Sequence, residues 1–211
     1  MTERLKKDWL LVLLIVTTPV FFWTILNFGD VVSRWLEIPS GLGQRKSLLF
    51  APEAVGKILK MRRAQIDSNG PIFIFSKLVY NKAYIVLNEL FGYTAYIKPR
   101  FYFQAGDSSA LSPPNTNPAP FLLLPFWLYG ILLSFKNKNH RLLLVWFAST
   151  LFAFIVGFRS FAILVPAIIV NFIFAYKALG EVKRRKVRLG LVIAIVFLGL
   201  FETARSIYLF F

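Results

Sequence analysis

Few residues in this chain of 211 amino acids are of a type that does chemistry. The absence of cysteine excludes disulfides, thiolate metal sites and a cysteine nucleophile. The single histidine, His140, excludes a histidine-rich metal site. The sequence also contains no glycine-rich phosphate loop, no cluster with metal-ligand spacing and no nucleophile elbow. The candidates that remain are isolated carboxylates and basic side chains.

Two carboxylates stand out by their position. Asp30 directly follows the first long apolar run, where a carboxylate of suitable pKa could accept a proton from an acceptor substrate. An aspartate is also common at a helix end, which requires no function. Asp107 lies between Gly106 and Ser108, so that it is equally well explained as an ordinary turn residue.

Three basic residues could bind a phosphate. Arg159 lies at the tip of a predicted helical hairpin, and a guanidinium group matches phosphate with two parallel hydrogen bonds. Its charge could instead simply reach the lipid head groups at the end of a long side chain. Arg100 and Lys98 border the same predicted surface and could assist Arg159.

The composition indicates the kind of element that positions these residues. Hydrophobic residues make up 57% of the chain, and charged residues 17%, against about 25% in an ordinary soluble domain. Yet 25 Lys and Arg face only 10 Asp and Glu, which gives a net charge of +15. This apolarity excludes a disordered basic tail and a soluble nucleic-acid binder. It predicts a membrane protein with basic loops.

The apolar runs predict an all-α membrane protein with about five transmembrane helices and a partly helical extracytoplasmic segment. A crossing needs roughly 17–25 mostly apolar residues. We interpret the first run as a retained span kinked at Pro19, because it is longer than the core of a signal peptide. The five predicted spans are residues 9–28, 120–135, 142–158, 161–179 and 189 towards 208.

The short loops predict the orientation. Lys and Arg dominate the N-terminus and the turns at 136–141 and 183–188, whereas the one short loop on the other side carries only Arg159. The N-terminus is therefore predicted to be cytoplasmic and the C-terminus extracytoplasmic. The cluster at 183–188 is explained as a topology signal or, alternatively, as a site for anionic lipid. Three regions result, at residues 1–28, 29–120 and 121–211.

The long segment 29–120 is predicted to lie outside. A basic amphipathic helix suited to a membrane surface is expected from Pro52 to Ile66, and a more apolar helix from Ile72 to about Leu90. An extended aromatic stretch should follow as far as Phe103 and lie at head-group level. An outside location excludes nucleic acid and makes a lipid phosphate or pyrophosphate the better partner.

Segment 76–179 resembles the C-terminal half of the bacterial and archaeal GT-C glycosyltransferases of the dolichyl-phosphate-mannose protein mannosyltransferase-like group. The order and spacing of several short motifs carry the resemblance. These motifs are Tyr80-Asn81-Lys82, Phe91-Gly92-Tyr93, a Phe-rich strand closed by Gly-Asp at 99–107, the proline-bearing run 123–130, and Arg159 followed by Pro166.

The resemblance implies a membrane enzyme that transfers a sugar from a polyprenyl-phosphate donor to an acceptor on the outer face. It implies an acidic general base in an outer loop, for which Asp30 is the candidate, and a functional role for Asp107. Some members use a divalent metal, but no cofactor is expected from the residues of this chain.

This sequence lacks the N-terminal half that carries the acidic catalytic motif of such enzymes. The chain is therefore expected to be a split or truncated C-terminal module, or a degenerate relative, that needs an N-terminal-half partner subunit and is inactive alone. The alternative is a non-catalytic multipass membrane scaffold or accessory subunit. Membrane lipids are expected partners in either case.

Overall fold

A computed structural model describes residues 2–40, 42, 55–56, 59–61, 63, 82–113, 115–138, 140–157 and 160–210. These residues form helices and turns, with no strand among them. A π-helical turn covers Phe101–Ala105, and a 3-10 turn covers Phe121–Leu123. The α-helices are α1 (Thr2–Val16), α2 (Pro19–Leu26), α3 (Phe28–Leu36), α4 (Lys82–Ile97), α5 (Leu124–Lys136), α6 (His140–Val156), α7 (Phe161–Gly180) and α8 (Arg185–Phe210).

Two of these helices, α7 and α8, are long and apolar enough to cross a membrane. The pair α1–α2 passes the same test only when its two helices are taken together, and they are bent by 73°. The apolar helices at 121–136 and 140–156 are shorter. The described residues thus form an all-helical protein that is plausible in a membrane, and the number of five spans stays a prediction.

The break between α1 and α2 confirms a bend at Pro19 and makes it sharper than a simple kink. The Thr17 and Thr18 hydroxyls donate to carbonyls of the preceding turn at 2.9 and 2.7 Å. The Val20 N–H, which starts the next turn, donates to the Pro118 carbonyl at 3.0 Å. Non-helical backbone inside a membrane must be satisfied by protein groups, and here hydroxyls and the 106–120 loop satisfy it.

Helix α7 is the centre of the bundle and contacts α1, α3, α5, α6 and α8. It packs against α5, and the two helices run parallel. The Trp127 indole N–H donates to Asn171 Oδ1 at 2.7 Å, and one turn further a Cβ on Gly130 would lie 2.0 Å from the Phe174 carbonyl oxygen. Only glycine allows so close an approach of the two backbones. The C-terminal ends of α5 and α7 therefore lie at the same end of the bundle.

The aromatic stretch that ends at Phe103 is not extended. Helix α4 continues past Leu90 to Ile97, and the residues from Phe101 onward form the π-helical turn. Phe101, Tyr102 and Phe103 are buried. The prediction of a strand and of a head-group belt is therefore wrong for these three residues, because their rings find partners inside the protein.

Tyr102 shows how the π-helical turn is held. Its phenol donates to the Tyr96 carbonyl at 2.6 Å, and the neighbouring Phe101 ring lies 4.7 Å from the Phe161 ring at the start of α7. Burial, and then the nearby Tyr93, raises the pKa of Tyr102, so that the phenol stays a neutral donor.

The remainder of the 29–120 segment is described in part. Its run of prolines from 113 to 120 contains no helix among the described residues, as predicted. The described residues do not include positions 64–81, nor most of the amphipathic helix expected between Pro52 and Ile66. On α6, the Ser149 and Thr150 hydroxyls donate to the Val145 and Trp146 carbonyls at 2.7 and 3.1 Å.

Candidate functional site

Asp107 bonds directly to the first residue of α7. Its Oδ2 accepts a hydrogen bond from the Phe161 backbone N–H at 2.7 Å. Its Oδ1 accepts from the backbone N–H and the hydroxyl of Ser109, at 3.0 and 2.7 Å. Both carboxylate oxygens are thus engaged by the protein. We call this arrangement of Asp107, Ser109 and Phe161 the Asp107 staple.

Local backbone geometry aims Asp107 at α7. Gly106 ends the π-helical turn with φ of 61°, and a Cβ at this position would lie 1.7 Å from Ser112 Oγ. Glycine is therefore required there, both for its left-handed conformation and for space. Ser108 also has a positive φ, of 58°. The two positions turn the chain so that the carboxylate between them reaches across to the helix.

The first turn of α7 is capped twice. Ser160 is its N-cap, and the serine hydroxyl accepts from the Ala162 N–H at 3.3 Å, while Asp107 takes the Phe161 N–H. The first N–H groups of a helix have no partner within the helix, and they carry its positive end. A carboxylate at this position therefore satisfies a donor and opposes the helix dipole.

Helix α3 is attached to the same end of α7. The Trp35 indole N–H donates to the Ala162 carbonyl at 2.9 Å. At the start of α3, the Asn27 side chain donates to the Ala110 carbonyl at 3.1 Å, within the loop that carries Asp107. The structure thus brings α3 and the Asp107 loop together around the N-terminus of α7. We call this region the Asp107 end of the bundle.

Asp30 lies on α3 and is exposed. It occupies the first turn of the helix, where a negative charge is favourable. Its backbone N–H donates to the Asn27 carbonyl at 3.0 Å, and its own carbonyl accepts from the Ser33 hydroxyl at 2.9 Å. Asp107 touches α7 directly, whereas Asp30 is connected to α7 through Trp35 of its own helix.

The basic candidates are distributed as follows. Lys98 and Arg100 are exposed on either side of Pro99, between α4 and the π-helical turn. The Lys98 carbonyl accepts from the Phe101 N–H at 3.0 Å. Arg159 lies outside the described residues, and the chain is described again from Ser160 onward.

An open cleft of about 360 Å³ lies beside the staple. It combines aromatic rings with a side-chain amide and two hydroxyls, all uncharged groups. Its lining consists of Trp23, Asn27, Ser108, Ser109, Ala110, Pro113 and Phe210. Sequence reasoning missed these residues. The Gly-Asp-Ser-Ser run at 106–109 was the available signal, because such runs form turns that present side-chain oxygens.

Glu202 is a further acid at this end. Its Oε2 pairs with Arg205, three residues further on the same helix, at 3.4 Å. Sequence reasoning missed Asn117, whose side-chain amide donates to Glu202 Oε1 at 3.0 Å. Both oxygens of Glu202 thus have protein partners, and the bond from Asn117 ties the 106–120 loop to α8.

Within the part of the chain that the structure describes, no three His, Asp or Glu side chains come together as metal ligands would. The cleft at the Asp107 end offers hydrogen-bonding groups and aromatic faces.

The fold and composition define the chain as an all-helical protein with helices long and apolar enough for a membrane. No protein-family model, no curated protein and no solved structure matches it. The resemblance to GT-C glycosyltransferases accordingly depends on its sequence motifs alone.

Proposed function

We propose that this chain is a five-span membrane protein whose Asp107 end faces the outside. It serves as the C-terminal module of a glycosyltransferase that uses a polyprenyl-phosphate-linked sugar. The observation that carries the proposal is the Asp107 staple. It fixes the loop beside the cleft against the N-terminus of α7, two residues after Arg159 in the sequence.

The proposal assigns a separate role to each candidate residue. Arg159, with the exposed Lys98 and Arg100 near the same loop, binds the phosphate of the donor. Asp107 positions the loop and is not the base, because both of its oxygens already accept hydrogen bonds. Asp30 is the exposed carboxylate available for a proton, and a partner subunit supplies the remaining acidic groups.

A binding experiment tests the phosphate site. The purified chain in lipid nanodiscs is titrated with a polyprenyl phosphate and with the uncharged polyprenol of equal length. We expect the phosphate to bind more tightly, and Arg159→Gln to weaken it by about ten-fold or more, since a hydrogen bond to a charged group contributes about 1.5–3 kcal/mol. Arg34→Gln, at an exposed ion pair on α3, is the matched control and should leave binding unchanged.

Equal binding of the phosphate and the alcohol, or an unchanged affinity of Arg159→Gln, contradicts the proposal. Sugar transfer is tested separately, by reconstituting the chain with a multispan partner that carries an acidic motif after its first span. Transfer should require both proteins, and Asp30→Asn should abolish it without loss of donor binding.

The alternative of a non-catalytic scaffold or accessory subunit has its own observation. Asp107 Oδ2 holds the 106–120 loop to α7, and Glu202 Oε1 holds it to α8 through Asn117, which is what a purely structural role requires. A scaffold should stabilise a partner protein in the membrane and bind no polyprenyl phosphate. Depletion of the chain followed by measurement of the partner's abundance separates the two functions.

The topology is tested independently of the chemistry. A reporter fused after Arg63 should read outside, and one fused after Glu181 should read inside. The reverse pattern places the Asp107 end in the cytoplasm and removes access to an outer-face donor.

A further inference from the structure

Two basic turns lie side by side at the end of the bundle opposite Asp107. Helices α5 and α7 are parallel, and a step of three residues along α5, from Trp127 to Gly130, matches the step from Asn171 to Phe174 along α7. Because this register continues along both helices, their last residues lie at the same height in the bundle. The α5–α6 turn and the α7–α8 turn that follow are therefore neighbours, and the close approach at Gly130 keeps them near each other.

Both turns are rich in exposed cations. The α5–α6 turn carries Lys136, Lys138 and Arg141, and all three are exposed. The α7–α8 turn carries exposed basic side chains at positions 183–186. Arg188 is half-buried, and its guanidinium donates to the Gly180 carbonyl at 3.4 Å, which anchors the start of α8 to the end of α7.

These cations are not neutralised within the described part of the chain. The ion pairs there join Arg34 to Glu37 and Arg205 to Glu202, both away from the two turns. Glu181 is the acid on the α7–α8 turn, and it is exposed. The two turns thus keep a concentrated positive charge for a partner outside the chain.

Exposed apolar side chains directly adjoin the charges. Leu132 and Phe135 on the last turns of α5 are 64% and 55% exposed, Leu144 on α6 is 66% exposed, and Leu189 and Ile193 on α8 are 56% and 59% exposed. A surface that changes within one helical turn from cationic to apolar fits a molecule with an anionic head and apolar tails. Free phosphate or nucleic acid would leave the apolar part uncovered.

We propose that the two turns together form a binding site for anionic phospholipid head groups. The clusters on neighbouring turns can engage two phosphates at once, so that a lipid with two phosphates in its head group binds better than two lipids with one phosphate each. The site lies at the opposite end of α7 from Asp107 and does not depend on the sugar chemistry proposed there. It goes beyond a topology signal, which needs charge but no preference among anionic lipids.

Lipid retention measures this preference. The full chain is purified in neutral detergent and exchanged with phosphatidylcholine, a single-phosphate anionic lipid and a two-phosphate anionic lipid, the last two at equal total charge. Bound lipid is counted by native mass spectrometry. Wild type should retain the two-phosphate lipid most, then the single-phosphate lipid, then the neutral one.

Paired substitutions locate the site. Lys138→Gln with Arg141→Gln removes two charges from one turn, and Lys183→Gln with Arg184→Gln removes two from the other. Each pair should lower retention of the two-phosphate lipid by about ten-fold, because each Lys or Arg near the surface contributes to binding of anionic lipid. The control pair, Arg34→Gln with Arg205→Gln, removes two exposed cations away from both turns and should leave retention unchanged. All of these side chains are exposed, so the fold should tolerate their replacement.

Three results overturn the proposal. The first is a control pair that lowers retention as much as the turn pairs do. The second is equal retention of the two anionic lipids at equal charge, and the third is retention of nucleic acid that anionic lipid does not displace.

Discussion

Replacing Asp107 by asparagine should destabilise the protein by about 2–4 kcal/mol. The carboxylate accepts three hydrogen bonds, one of them from the N-terminus of α7. An asparagine keeps one oxygen as an acceptor, but its NH₂ group faces a backbone N–H at the other position. The variant therefore loses at least one charge-assisted bond, about 1.5–3 kcal/mol, and the favourable charge at the helix end, about 0.3–1 kcal/mol.

Thermal unfolding of the purified chain measures this cost. The five tryptophans provide a fluorescence signal, and Trp23 and Trp35 report from the Asp107 end. At about 2–4 °C per kcal/mol for a chain of this size, the midpoint should fall by roughly 4–16 °C. Asp30→Asn is the matched control, because it removes an exposed carboxylate from a first helical turn and should cost less than about 1 kcal/mol.

The comparison of these two variants can refute the structural interpretation of Asp107. Equal midpoints for Asp107→Asn and Asp30→Asn mean that the staple contributes no stability. A second contrary result is a variant that unfolds like wild type yet loses polyprenyl-phosphate binding. Asp107 would then contact the ligand directly, and its role in positioning the loop would be wrong.

The other predictions concern packing and ionisation. Gly130→Ala should cost about 1–3 kcal/mol by forcing α5 from α7, whereas Gly180→Ala, with open space around it, should be nearly neutral in the same unfolding assay. Trp127→Phe leaves the buried Asn171 without its hydrogen bond and should cost about 1–3 kcal/mol, most of which returns in the double variant with Asn171→Leu. Because burial raises the pKa of Tyr102, the free energy of unfolding should be retained below about pH 10 and decline above it. The decline should be less steep in Tyr102→Phe. Identical pH profiles of stability for wild type and this variant contradict the prediction.

Features with local causes could be predicted from the sequence. Pro19 lacks the N–H that a continuous helix needs, and the chain breaks beside it. Glu202 and Arg205 are three residues apart on one helix, so their pairing follows from helical geometry. The charged runs that limit the apolar segments mark the ends of α5 and the start of α8 within a few residues.

Features that depend on distant partners could not be predicted. Asp107 meets Phe161 across 54 positions, and Asn117 meets Glu202 across 85. The aromatic residues around Tyr102 have a composition that suits a membrane interface equally well. Their burial follows from a ring stack against the start of α7, which no local pattern specifies. Position in the chain pointed to Asp107, but only the tertiary contact explains how its carboxylate is used.

Helix α7 is the common element of both proposed sites, and its length makes them separable. Its 20 residues place the staple and the basic turns about 30 Å apart, at 1.5 Å per residue. This separation is well beyond the Debye length of about 10 Å at moderate salt. Charge variants at one end should therefore not alter ligand binding at the other. Any coupling must pass through packing along α7, and Gly130→Ala, on α5 where it packs against Phe174 of α7, is the variant that should disturb both ends together.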